Sequence, residues 1–333
     1  MDETKDGGRV FLRKRFLIPL GISFLVFVGL LFYGDLKKIS STFEYFNWTL
    51  LPAILALTLT DDFLRFIKWN YFLKVIDIEL NNWDSASVFF GGLAMAITPG
   101  KVGELFKSFL IKQINGAEMS RTMPVVVTER LTDLIAVTLL ASIGVLYFNY
   151  GIVALSVLVA LIVAFLAIIQ YRRLCLWLIE KIEAVPFDPV KKFAGTSRNF
   201  YENSYQLIKL PRLAIGTGIS IFSWGSECIA LYLVFQGLGI PQGFLLSIFI
   251  FSFSSVMGAV SFLPGGVGVA EGSMTGIMIA LAGLQKHFAV TATVLIRLST
   301  LWLGIFVGLL VLSINRDKFT IASFDEEISE KEG

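Results

Sequence analysis

The side chains able to do chemistry in this chain are charges set into otherwise apolar runs. They are Asp62, Glu104, Arg130, Asp133, Glu227, Glu271 and Arg297, with Lys101 beside the first of two breaks in the helical pattern. The first break is Pro99-Gly100, followed by Gly103 and Glu104; the second is Pro264-Gly265-Gly266, followed by Gly268 and Glu271. An ionised group held away from water is expensive unless it is paired or hydrated, and intramembrane charges mark functional sites for that reason. Broken backbone persists in hydrocarbon only where protein or a cavity covers its bare amides.

Arginine offers a fixed fork of donors that matches a phosphate or carboxylate, so Arg130 and Arg297 are candidate binders of an anionic headgroup. The competing possibility is a standing ion pair, Arg130 with Glu104 or Asp133 and Arg297 with Glu271. A short helix starting after each Pro-Gly would aim free backbone N–H groups and its positive end at an anion. Lys101 adds a charge in the first copy, and Gly266 takes its place in the second. Glu104 and Glu271 fall in the first turns of these helices, where compensation of the helix dipole is the plainer role. The glycines would serve equally as close packing contacts.

Asp62 and Glu227 each lie near the middle of an apolar stretch and, with Asp133, are candidates for carrying a proton or balancing charge. Arg65 stands three residues after Asp62 and four after Asp61, so a local ion cluster competes with that role. Glu227 has no basic residue within one turn; another helix must supply a partner, or the side chain carries a proton. No catalytic residue, metal site or cofactor is assigned. His287 is the only histidine, and zincin or P-loop motifs do not occur. Cys175 and Cys228 lie in or beside apolar stretches, which does not indicate a disulfide framework.

These groups need helices to hold them. The 333 residues are 55% hydrophobic and 16% charged, where a soluble domain carries about 25% charged residues, and the mean hydropathy is +0.74. Runs of about twenty apolar residues predict spans at Phe16–Tyr33, Leu50–Val75, Met123–Phe148, Gly151–Tyr171, Leu213–Gln236 and Phe288–Ile314. Two hairpins, Ser85–Lys112 and Gln242–Gln285, lie between them. The arms of the first reach only about 18–20 Å against a hydrocarbon core of about 30 Å, so it enters and leaves on one side. The second has longer arms and nearly or fully crosses. The expected fold is an all-α polytopic membrane protein with six spanning helices and two broken or re-entrant hairpins. A net charge of +2 gives no reason to expect nucleic acid as a partner.

The distribution of basic residues orients the chain. Residues 1–15 form a cytoplasmic N-terminus ahead of a retained first span, 16–314 a single membrane domain, and 315–333 a cytoplasmic tail. The connector 172–212 is rich in lysine and arginine and belongs to the cytoplasm. Within it Phe193, Phe200, Tyr201, Tyr205 and Ile208 recur at helical spacing. That pattern fits either an amphipathic helix at the membrane surface or an ordinary connector.

Pro264 follows Pro99 by 165 residues, and the same offset places Gly265, Val267 and Gly268 on Gly100, Val102 and Gly103, and Glu227 on Asp62. An offset of 167 places Arg297-Leu298-Ser299 on Arg130-Leu131-Thr132. The unit span, hairpin, span therefore occurs twice, at about 50–148 and 213–314. Opposite orientations of the leading spans make it an inverted repeat, the plan of many secondary transporters.

Thr98–Glu104 (TPGKVGE), Thr128–Asp133 (TERLTD) and Leu263–Gly272 (LPGGVGVAEG) together resemble the flippase-like integral membrane family typified by the transmembrane region of lysylphosphatidylglycerol synthase. The resemblance runs from about Phe16 to Ile314. It implies translocation of lipids or lipid-linked intermediates across the cell membrane, with a membrane lipid as partner and a separate lipid-modifying enzyme as a further one. The synthases carry a soluble transferase domain after this region, so synthase activity is not expected here. Two other functions stay open: a membrane-embedded lipid-carrier transferase using Glu104 or Asp133 as general base, and a non-catalytic subunit recruiting an enzyme through its basic loop.

Overall fold

A computed structural model describes residues 21–96, 102–183, 188–261, 263–315 and 318, and every regular element among them is helical. Pro99, Gly100 and Lys101, the first five residues of the expected first span and the acidic tail lie outside the described residues, as do the side chains of Glu104, Phe193 and Pro264.

Helix α1 (Gly21–Tyr33) and α2 (Leu36–Tyr45) lead through a tight turn at Trp48–Leu50 into α3 (Leu51–Val75). Pro52 sits in the first turn of α3, where its missing N–H breaks no helical bond. Helix α4 (Asn82–Leu93) begins at Asn81, whose side chain accepts from the Asp84 N–H at 2.8 Å, and α5 (Val102–Asn115) follows. Helices α6 (Met119–Phe148) and α7 (Ile152–Gln170) are joined by a tight reversal in which Asn149 and Gly151 adopt φ of 53° and 79°. Then come α8 (Arg172–Glu183), α9 (Asp188–Leu207), α10 (Leu210–Gly237), α11 (Phe244–Val260) and α12 (Val269–Ala280). Helix α13 (Lys286–Arg297) continues through a π-helical turn at Leu298–Trp302 into α14 (Leu303–Ile314).

Among the described residues four helices are long and apolar enough to cross a membrane: α6, α7, α10 and the continuous α13–α14. Helix α3, expected as a fifth, has 25 residues but carries Asp61, Asp62, Arg65, Lys68 and Lys74, so packing and not hydropathy must hold it. The described part of the first expected span is the short helix α1. Helix α6 starts at Met119, ahead of the expected Met123, and α10 at Leu210 with Pro211 in its first turn. The hairpin arms α4 and α5 have 12 and 14 residues, or about 18 and 21 Å. Their counterparts α11 and α12 have 17 and 12, or about 26 and 18 Å.

Helices α3 and α10 lie against each other at the centre, α4 packs on α14, and α11 packs on α6. Glycine permits two of these approaches. A Cβ at Gly308 would stand 2.2 Å from the backbone nitrogen of Ala94, and one at Gly144 would stand 2.4 Å from the Phe249 side chain. Apolar packing forms two large, separate clusters beside two small ones. One gathers Ile54, Val137, Leu231, Phe249 and Ile296, and the other Trp69, Phe72, Phe89, Phe106, Val125 and Leu312. On α3 the stretch between Ile54 and Trp69, and on α6 the stretch between Val126 and Val137, contain the charges.

In the connector, α9 packs on α6 and α8. Its Tyr201 is buried and donates its hydroxyl to the Ile169 carbonyl at 2.9 Å, while Leu207 and Ile208 are fully buried. Burial pushes the Tyr201 phenol above its ordinary pKa. The described part of the aromatic stripe therefore turns toward protein. Leu174, Trp177 and Leu178 of α8 are exposed apolar side chains, flanked by Arg172, Arg173 and Lys181.

Candidate functional site

Asp61, Arg65 and Lys68 follow one another at helical spacing on α3, so all three project to one side of that helix. Arg65 Nε donates to Asp61 Oδ1 at 3.0 Å, and its guanidinium lies over the Trp224 ring at 4.7 Å. Ser223 of α10 donates a short hydrogen bond to Asp61. One turn along, Lys68 is fully buried and donates to Asp133 Oδ1 at 2.5 Å, to Ser220 Oγ at 2.7 Å and to the Glu129 carbonyl at 3.3 Å. Ser220 in turn donates to Asp133 Oδ1 at 2.8 Å. Three helices thus meet on one ammonium group, and every proton of that group has an acceptor.

Beside it, Lys107 of α5 reaches both carboxylate oxygens of Glu129, at 3.1 and 3.3 Å, and sits over the rings of Phe89 at 4.3 Å and Trp69 at 5.0 Å. Arg130 stands one residue further along α6, a third exposed, with its guanidinium 3.7 Å from Asp133 Oδ2. A buried ammonium needs both a counter-ion and acceptors to offset its lost hydration, and Lys68 and Lys107 have them.

The second break has its own arrangement. Gly265, Gly266 and Gly268 adopt φ of 60°, 66° and 87°, a region closed to most side chains and open to glycine. Gly266 also lies directly on the backbone of Gly258 in α11. Glu271, fully buried in the first turn of α12, reaches back to accept from the Gly268 N–H at 2.6 Å. Its other oxygen accepts from Arg297 Nε at 2.6 Å, and Arg297 Nη2 donates to the Gly265 carbonyl at 3.1 Å. One arginine therefore fastens the break, the helix that follows it and α13 together.

The structure brings Asp62, Arg130, Asp133 and Glu227 into the α3–α6–α10 region, and Gly265, Gly268, Glu271 and Arg297 into the second break. Of the two roles open to Arg297, the conformation seen is the pair with Glu271. Lys68, Glu129, Ser220 and Ser223 were not singled out in the sequence. The signal was present: Lys68 continues the Asp61–Arg65 spacing, and Ser220, Ser223 and Ser226 recur every third residue up to Glu227. A groove of about 510 Å³ opens elsewhere, against Gly116, Glu118, Arg121, Asn199 and Asn203, and no residue of the charged layer lines it.

An apolar helical assembly with a buried layer of ion pairs across its middle defines a multi-pass integral membrane protein. Comparison of sequences gives the family: residues 16–308 match the model of the lysylphosphatidylglycerol synthase TM region, and the chain belongs to that family. It is similar to the UPF0104 membrane protein PH1989 of Pyrococcus horikoshii, at 26% identity over 331 residues, covering 92% of this chain and 98% of that one. A UPF0104 membrane protein of Methanothermobacter thermautotrophicus is 25% identical over 312 residues, covering 89% and 92%. The UPF0104 membrane protein MJ1078 of Methanocaldococcus jannaschii is 23% identical over 232 residues, covering 66% and 92%.

Proposed function

We propose that the chain is a transporter of flippase type for an anionic or lipid-linked headgroup, built as an inverted repeat with one helix break in each half. The observation that carries this is the Arg297 clasp. Its guanidinium bonds both Glu271 and the Gly265 carbonyl, so an anion that displaced Glu271 from Arg297 would also loosen the break. In the first half Arg130 holds the corresponding place, with Pro99, Gly100, Lys101, Gly103 and Glu104 as the corresponding break. Asp62, Asp133 and Glu227 balance charge as the headgroup passes.

The packing supports the repeat. The leading arm of each hairpin lies on the closing span of the other half, α4 on α14 and α11 on α6, while α3 and α10 pair with each other. Exchanging the halves reproduces this pattern. In the membrane, the first break opens to the cytoplasm and the second to the outside, with both chain ends cytoplasmic. Asp133 is surrounded by Lys68, Ser220, Arg65 and Arg130, an arrangement that lends no support to its use as a general base.

Proteoliposomes with labelled anionic lipids in one leaflet test the proposal. Transfer above the rate of empty vesicles is expected, with Arg297→Ala and Arg130→Ala each lowering it by about tenfold or more, the equivalent of one charge-assisted bond. Transfer no faster than in empty vesicles for every anionic lipid tried would overturn it.

A further inference from the structure

Asp62 and Glu227 stand apart from the other buried acids. They are 7% and 3% exposed. Among the described residues, Asp62 Oδ2 and Glu227 Oε2 are buried without a hydrogen-bond partner. Each buried cation near them already has a carboxylate: Arg65 has Asp61, Lys68 has Asp133, Lys107 has Glu129 and Arg297 has Glu271, while Arg130 leans on Asp133. Of the other helices on α10, α11 contains no ionisable residue, and α13 brings Lys286, His287 and the Arg297 already paired with Glu271.

The register of α3 on α10 shows where the two acids lie. Asn47 donates its N–H to the Gly237 carbonyl, Asp61 meets Ser223, Lys68 meets Ser220, and Gly216 abuts Phe72. The helices are therefore antiparallel, with residue numbers falling on α10 as they rise on α3. Residues related by the offset of 165 can then meet at only one level, and these contacts put that level beside Asp61 and Ser226. Asp62 and Glu227, themselves related by that offset, are the next residues along. They sit where the axis relating the two halves must pass.

We propose that Asp62 and Glu227 together hold one monovalent cation, a proton or Na⁺, between the two halves. Two carboxylates brought together in a dry interior cannot both stay ionised without a positive charge. The hydroxyl oxygens of Thr58 and Ser226, one turn from Asp62 and beside Glu227, donate to carbonyls of their own helices at 3.4 and 2.7 Å and keep lone pairs for a metal cation. One acid belongs to each half, so any movement of the halves changes the separation of the pair and its hold on the cation. This placement rests on the repeat proposed above.

The test uses the purified full chain in nanodiscs, with two readouts. If the cation is a proton, infrared difference spectra at neutral pH show a protonated carboxyl C=O band that Glu227→Gln removes. If it is Na⁺, radiolabelled Na⁺ binds saturably, and Asp62→Asn or Glu227→Gln weakens binding by at least about tenfold. Should the amide variants fail to fold, Glu227→Asp keeps the acid and must shift the band or weaken the binding. Neither signal in the wild type, or a signal that no variant moves, overturns the proposal. No lipid transfer is measured, so a negative result leaves the transport function standing, and failed transport leaves the cation site standing.

Discussion

Lys68 offers the sharpest perturbation. Lys68→Met keeps the length of the side chain and removes its charge, leaving Asp133 buried. Breaking a buried pair by removing one partner costs about 3–5 kcal/mol. The low end applies, because Arg65 and Arg130 remain 3.9 and 3.7 Å from Asp133 Oδ2 and Ser220 still donates to Oδ1. At roughly 2 °C per kcal/mol for a long chain, a loss of about 3 kcal/mol lowers Tm by about 6 °C. The assay is thermal unfolding in detergent, followed by size-exclusion fluorescence, for Lys68→Met, Asp133→Asn and the double variant. Removing both charges leaves no orphan between these two positions, so the double variant should be more stable than the sum of the singles by about 1–3 kcal/mol. Additivity within about 0.5 kcal/mol, or a Lys68→Met cost below about 1 kcal/mol, would show that this ion pair does not organise the layer.

Further substitutions probe the packing and the breaks. Gly308→Val should pry α4 from α14 and destabilise by about 1–3 kcal/mol or more, since even a Cβ there meets the Ala94 nitrogen at 2.2 Å. Gly272→Ala, in the same assay, has open space around it and should be neutral or stabilising by up to about 1 kcal/mol. Gly266→Ala forces a side chain to φ of 66° and onto Gly258, so a loss of at least about 1–2 kcal/mol is expected. For the thiols, a maleimide applied to the folded protein should label the partly exposed Cys175 and spare the fully buried Cys228; equal labelling would refute the packing of α10.

Much of the helix plan was legible because apolar runs and Pro-Gly breaks are local signals. The reversal at Asn149–Gly151 and the break at Pro264–Gly266 fall where the residue types demand positive φ. Glu271 and Arg297 were legible too, since the acid opens the helix after the glycine-rich break and the base lies in the apolar run that follows. Lys68 and Glu129 were not, because their partners lie on other helices and the pairs appear only when α3, α5 and α6 assemble. The partner of Lys68 lies 65 residues away, beyond any periodicity. Helix α3 was expected as a span, and among its five charged residues Lys68 finds its counter-ion, Asp133, only across the contact with α6. In the connector, spacing alone could not say which way α9 faces, and Leu174, Trp177 and Leu178 of α8 are the exposed apolar cluster.

The distribution of bond types has a mechanical consequence. The ion pairs described in the buried layer lie within one half or the other: Asp61–Arg65, Lys68–Asp133, Arg65–Asp133, Arg130–Asp133 and Lys107–Glu129 in the first, Glu271–Arg297 in the second. The polar bonds that cross the α3–α10 and α6–α10 contacts run through serine hydroxyls instead, Ser220 with Lys68 and Asp133, and Ser223 with Asp61 and Arg65. Separating a buried ion pair costs several kcal/mol, whereas exchanging one hydrogen bond for another of similar geometry costs little net. A sliding or rocking motion between halves would therefore spare the ion pairs and re-form hydroxyl bonds one step along the three-residue ladder Ser220, Ser223, Ser226. At the cation site proposed above, the same motion would act directly on Asp62 and Glu227, whose buried oxygens have no hydrogen-bond partner among the described residues to resist it. Among the described residues the charges pair on each side and hydroxyls join the sides, which is the arrangement that the proposed alternation calls for.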